Sequence, residues 1–93
     1  MKLELSKEYD LDGKMVKEIE LNFADLTGKD ILDAEQTTVM IDNQMGNMLE
    51  LSKAYQINIA ATASGIPAEE LKKLNLADFT KLTMEVQANL TGF

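Results

Sequence analysis

Residues 3–21 read LELSKEYDLDGKMVKEIEL, and this stretch decides the fold. Leu3, Leu5 and Tyr9 alternate with Lys2, Glu4 and Glu8, the period-two pattern of a half-buried strand. Met15, Ile19 and Leu21, with Phe23 beyond them, repeat the pattern after Asp12-Gly13, a pair that marks a hairpin turn. A two-residue turn centred on that pair would set Leu5 against Glu20 and Tyr9 against Val16, mixing the faces. Pairing Tyr9 with Met15, Leu5 with Ile19 and Leu3 with Leu21 keeps one apolar face. This register predicts a three-residue loop, Leu11-Asp12-Gly13, with Gly13 in the left-handed bulge position. It also places Lys7 opposite Lys17, whose long stems can splay their charges into water.

A lone hairpin is marginal in water, so its apolar face needs a cover. Thr27 and Asp30 form a capping-box pattern that opens a first helix. Ile31, Ala34, Thr38 and Ile41 mark its inner face, which Leu32 and Val39 widen. Gly46 and the asparagines of residues 43–47 predict a break, although Met45 and Met48 continue the same spacing and leave one long helix open. Asn47, with Glu50 at its third position, is the expected cap of the second helix. One stripe of that helix is Met48, Leu51, Tyr55 and Ile59, and another is Ala54, Ile57 and Ala61. Residues 57–63 are apolar or small nearly all round, which marks the most buried helix.

Gly65-Ile66-Pro67 ends the second helix with a left-handed cap and a proline. Pro67 opens a short helix with Glu69 and Glu70 in its first turn and Lys72 and Lys73 in its last. Asn75 caps a final helix whose stripe is Leu76, Phe79, Leu82, Val86, Leu90 and Phe93. The expected fold class is α+β: an N-terminal two-stranded hairpin followed by a small bundle of three to four helices. Residues 1–93 form a single domain in this reading, with 1–23 the hairpin and 27–93 the helical part.

The 93 residues are 45% hydrophobic and 27% charged, which describes a folded globular chain. No apolar run approaches the roughly 20 residues of a membrane span. The start, Met1-Lys2-Leu3-Glu4, lacks the apolar core of a signal peptide, so a cytoplasmic protein is expected. All nine basic residues are lysine and the net charge is −7, which repels phosphate backbones and argues against a nucleic-acid partner. Mimicry of nucleic acid is the weaker idea, because the acidic residues are interleaved with lysines. Histidine and cysteine are absent, which removes nucleophile–base pairs and nitrogen or sulfur metal sites. The carboxylate pairs Asp30 with Asp33 and Glu69 with Glu70 sit where solvation and the helix dipole explain them. The sequence therefore predicts no enzyme, cofactor, metal or small-molecule substrate.

Four stretches in order sharpen the function. They are LELSKEYDLDGKMVKEIELN, DLTGKDILDAEQ, ELSKAYQ and ASGIPAEELKKLNLADFTKLTMEVQANL. Together they resemble the tail assembly chaperones of long-tailed bacteriophages and prophages, especially the Mu-like group. The resemblance covers nearly the whole chain and rests on order and spacing, since each motif alone is weak. It implies a non-enzymatic protein of the bacterial cytoplasm that binds the tape measure protein and keeps it soluble until the tail tube polymerises. It further implies absence from the mature virion, and a longer frameshifted form that recruits tube protein. The alternative is a small self-assembling structural or adaptor subunit of a phage-like particle.

The departure from the family pattern is residues 40–48, MIDNQMGNM, where a Gly- or Pro-rich joint is usual. Methionine is flexible and polarizable, suited to filling a core or to gripping varied helix faces. Met40, Ile41, Met45, Met48 and Leu49 are the candidate partner-binding residues, and a methionine core is the competing reading. Weak self-association is expected, because a coat along a helical partner requires copies that touch.

Overall fold

The computed structural model describes residues 1–40 and 52–91. Strands β1 (Lys2–Leu11) and β2 (Lys14–Glu20) form an antiparallel hairpin, and a 3-10 turn follows at Phe23–Asp25. Four helices complete the described chain: α1 (Gly28–Met40), α2 (Lys53–Ser64), α3 (Ala68–Leu71) and α4 (Leu76–Thr91). The architecture is the expected α+β arrangement of a hairpin and a small helical bundle.

The hairpin register differs from the one the apolar pattern favours. Asp12 and Gly13 both have positive φ, 55° and 81°, and form a two-residue turn closed by Leu11 opposite Lys14. Positive φ at both central residues is the type I′ geometry, whose twist matches that of the strands. Tyr9 therefore faces Val16, and Leu3 faces Ile19 further along. Between these regular parts, residues 5–8 of β1 stand against Lys17 alone. This break lets β1 keep its odd positions inward while β2 changes from Val16 to Ile19 and Leu21. Leu3, Leu5, Tyr9, Leu11, Ile19 and Leu21 are all buried, and Met15 is left outside at 64% exposure. A uniform register was thus the wrong assumption. A bulged strand can hold an apolar face through two registers.

The helix boundaries follow local chemistry. At the start of α1, the Thr27 N–H donates to Asp30 Oδ2 at 2.9 Å and the Asp30 N–H donates to Thr27 Oγ1 at 3.4 Å, the reciprocal bonds of a capping box. Ala34 and Thr38 are buried, whereas Leu32 at 65% and Val39 at 36% face solvent and do not widen the buried stripe. The α2 cap is Ser52, whose side chain accepts from the Tyr55 N–H. Ser52 has extended backbone, so α2 begins at Lys53 rather than at the expected Asn47 cap, which lies outside the described residues. Gly65 closes α2 with φ 75°, its N–H bonded to the Ala61 carbonyl at 2.8 Å. On α4, the Asp78 N–H donates to Asn75 Oδ1 at 2.8 Å, the expected cap. Leu76, counted in the α4 stripe, is 84% exposed. It precedes the first inward turn, and the buried stripe is Leu82 and Val86 with half-buried Phe79 and Leu90.

Helix α2 is the centre of the molecule. Residues 55–60 are buried without interruption, and Ile59 is 1% exposed. Helices α1 and α4 both pack on α2 rather than chiefly on each other. Polar contacts pin each side. Asn58 Nδ2 donates to Thr38 Oγ1 at 2.9 Å on the α1 side, and Gln56 Nε2 donates to Gln87 Oε1 at 3.2 Å on the α4 side. Polar groups buried in this way cost little when paired and fix which faces meet.

Candidate partner-binding surface

The arrangement of α1 and α4 on either side of α2 leaves a groove between them. Phe23, Leu26 and Ile31 form one wall, Leu90 and Asn89 the other, and Ile59 and Val86 the floor. The cavity volume is about 490 Å³. Phe23, Leu26, Ile31 and Leu90 are only partly buried, so the groove offers apolar surface to solvent among the described residues. Local sequence explains its shape. Strand β2 ends at Glu20, and the 3-10 turn at Phe23–Asp25 brings Phe23 to the rim instead of extending the strand. Gly28, the first residue of α1, adds no side chain to the wall.

A second feature holds the hairpin to this helical frame. The Tyr9 hydroxyl donates to Asp78 Oδ2 at 2.6 Å and accepts from the Asn75 N–H at 3.1 Å. The Ser6 N–H donates to both Asp78 carboxylate oxygens, at 3.0 and 3.2 Å, and the Ser6 hydroxyl donates to Oδ2 at 2.8 Å. Ser6 lies on the outer edge of β1, so its N–H points away from β2 and toward α4. Burial pushes the Asp78 carboxyl up, but the Tyr9 and Ser6 hydrogen bonds and the Lys81 charge outweigh it and hold the group below its ordinary range. A carboxylate saturated by structural donors is poorly placed to move protons, so this cluster is a fastening.

The other carboxylates have similarly local roles. Lys29 bonds Asp33 at 2.9 Å, and Lys72 bonds Glu69 at 2.9 Å. Glu70 accepts from the Asp12 N–H at 2.6 Å and from Lys73 at 3.0 Å, tying the hairpin turn to α3, and both contacts lower its pKa.

Of the candidate contact residues, Ile41, Met45, Met48 and Leu49 lie outside the described residues, and Met40 is the last residue of α1. The groove residues were legible only in part. Ile31 and Leu90 stand on expected stripes, but Phe23 continues the β2 alternation, which points to a strand face rather than a cleft, and Leu26 stands on no periodic pattern. Ser6 and Asp78 carry no signal either, because a first-turn aspartate is ordinarily explained by the helix dipole.

No helix among the described residues is long and apolar enough to cross a membrane. Among the proteins of known function and the solved structures compared, none matches the chain. The family model described as "Phage tail assembly chaperone proteins, E, or 41 or 14" matches residues 2–90. With that match spanning the hairpin, the groove and the four described helices but for the last residue of α4, the chain belongs to the phage tail assembly chaperone family.

Proposed function

We propose that this protein is a non-enzymatic chaperone of the Mu-like type that binds the tape measure protein in the host cytoplasm and keeps it soluble until the tail tube polymerises. The observation that carries this reading is the apolar groove between α1 and α4. A slot flanked by two helices and floored by Ile59 and Val86 suits the apolar face of a third helix, a common recognition mode. Tape measure proteins are long and mostly helical, so one groove meets many similar segments. The net charge of −7 would keep a coated complex dispersed by mutual repulsion. Copies bound side by side would touch, so weak self-association belongs to the same proposal. A longer frameshifted form would add contact with tube protein, and the chaperone would be absent from the finished virion. Met40, Ile41, Met45, Met48 and Leu49 are proposed as a second, adaptable contact edge.

Co-expression with a tape measure fragment tests this function. The fragment is expected to stay soluble with the wild-type chain and to precipitate with Leu26→Asp or Leu90→Asp chains that still melt cooperatively. Serine at Met45 and Met48 should weaken capture while leaving the melt nearly unchanged. A fragment that aggregates equally with and without the wild-type chain would refute the chaperone reading. Unchanged capture by the groove variants would move the binding surface elsewhere.

A further inference from the structure

The two outer edges of the hairpin are treated differently. On β1, the Ser6 N–H is bound by Asp78, the Glu4 carbonyl by Lys81 Nζ at 2.8 Å, and the Asp12 N–H at the turn by Glu70. On β2, no further strand pairs with the outer edge among the described residues. Unpaired strand edges are templates for another strand, and proteins ordinarily blunt them. Here one edge is blunted by α3 and α4, and the other is open among the described residues.

We infer that the open edge of β2 pairs antiparallel with β2 of a second copy, giving a four-stranded sheet across a two-fold axis. This builds on the self-association proposed above and names its surface. The sequence of β2, KMVKEIE, is basic in its first half and acidic in its second. Antiparallel self-pairing about an axis between Lys17 and Glu18 sets each Lys17 opposite the other copy's Glu18. It sets Val16 opposite Ile19, and Met15 opposite Glu20. Each of these pairs joins residues of one kind of face, since Val16 and Ile19 point inward and Met15, Glu18 and Glu20 are exposed.

On either side of the break at Lys17 the backbone agrees with this register. Met1 and Leu21 exchange both main-chain hydrogen bonds, at 2.9 and 2.8 Å. Alternation along an antiparallel ladder then directs the Ile19 groups toward β1 and those of Glu18 and Glu20 outward. Counting from the turn-closing Leu11–Lys14 pair, the same alternation directs Met15 outward. Met15 and Glu20, the residues that would exchange bonds between copies, are thus both free to do so on the outer edge.

Surface chemistry points the same way. A shallow hollow of about 580 Å³ lined by Leu5, Met15, Val16 and Lys17, with Glu4 and Glu18, leaves apolar surface uncovered along this stretch. Lys14 and Lys17 make no ion pair among the described residues, while Glu18 has only a 3.8 Å pair with Lys2. Edge lysines discourage indiscriminate strands. A strand with acidic residues in the antiparallel positions, which β2 itself supplies, meets no such repulsion. An isologous contact of this kind closes as a dimer and does not propagate as a fibre.

Sedimentation velocity over a concentration series of the purified chain tests the inference. The wild-type chain is expected to dimerise reversibly. Lys17→Glu and Glu18→Lys should each weaken the dimer by about tenfold, since each reversal opposes like charges twice across the axis. The double exchange Lys17→Glu with Glu18→Lys should restore it. Hydrogen exchange on the wild-type chain gives an independent readout, with the Glu18 and Glu20 amides gaining protection at dimer concentrations. A strict monomer, a dimer indifferent to both reversals, or a folded double variant that stays monomeric would each overturn the proposal. None of these readouts uses a tape measure fragment, so their failure leaves the reading of the groove standing.

Discussion

The Tyr9 hydroxyl lies 2.6 Å from Asp78 Oδ2, joining a strand to a helix that begins more than sixty residues later in the chain. The same carboxylate collects the main-chain and side-chain donors of Ser6. The outer edge of β1 is thereby fastened to the first turn of α4. Asp78→Ala would leave the buried Tyr9 hydroxyl and the Ser6 N–H without their acceptor. The expected loss is about 2–3 kcal/mol, measured by urea denaturation, with Tyr9→Phe costing about half as much. A near-neutral Asp78→Ala would mean that the cluster does not hold the hairpin to α4.

The Asp78 carboxyl also predicts how stability depends on pH. Its folded pKa is held below the ordinary value, so the unfolded chain binds the proton more readily. Stability from this group is fully present well above the unfolded pKa of about 4 and is lost as pH falls through the folded value. Glu70, also lowered, acts in the same direction, but it is more exposed to solvent screening. Denaturation midpoints between about pH 5 and pH 3 should fall less steeply for Asp78→Asn than for the wild-type chain. Equal slopes would show that other carboxylates govern acid unfolding.

Ile59 is 1% exposed and serves both the core and the groove floor. Ile59→Ala should destabilise by about 2–5 kcal/mol, the range for removing a buried aliphatic side chain. Chemical denaturation measures this directly, and a loss below about 1 kcal/mol would contradict the central position of α2.

Gly13 has φ 81° and open space where a Cβ would sit, so backbone strain alone should govern its substitution. Gly13→Ala is expected to cost about 1–2 kcal/mol. Asp12→Asn should be tolerated, because Asn-Gly favours the same type I′ turn. If the turn were the three-residue form, only the glycine would need positive φ. Asp12→Val, expected to be costly in the observed turn, would then be mild.

Sequence patterning by itself determined the two strands, the capping box at Thr27 and Asp30, the left-handed stop at Gly65, the Asn75 cap and the inward Leu82 and Val86. These features depend on residues within one or two turns of each other, where side-chain chemistry and backbone preference act locally. The family was legible for the same reason, since it is carried by the order of such local motifs. Tertiary structure alone decided the register break after Glu4, the exposure of Met15, Leu32 and Leu76, and the groove walled by Phe23 and Leu90. Alternation specifies which face a residue occupies only while the register is uniform, and a bulge changes the partner strand's parity without leaving a mark in composition. Beside that break, on the outer edge of β1, Ser6 meets Asp78 of α4. That contact arises only when two segments distant in sequence are brought together.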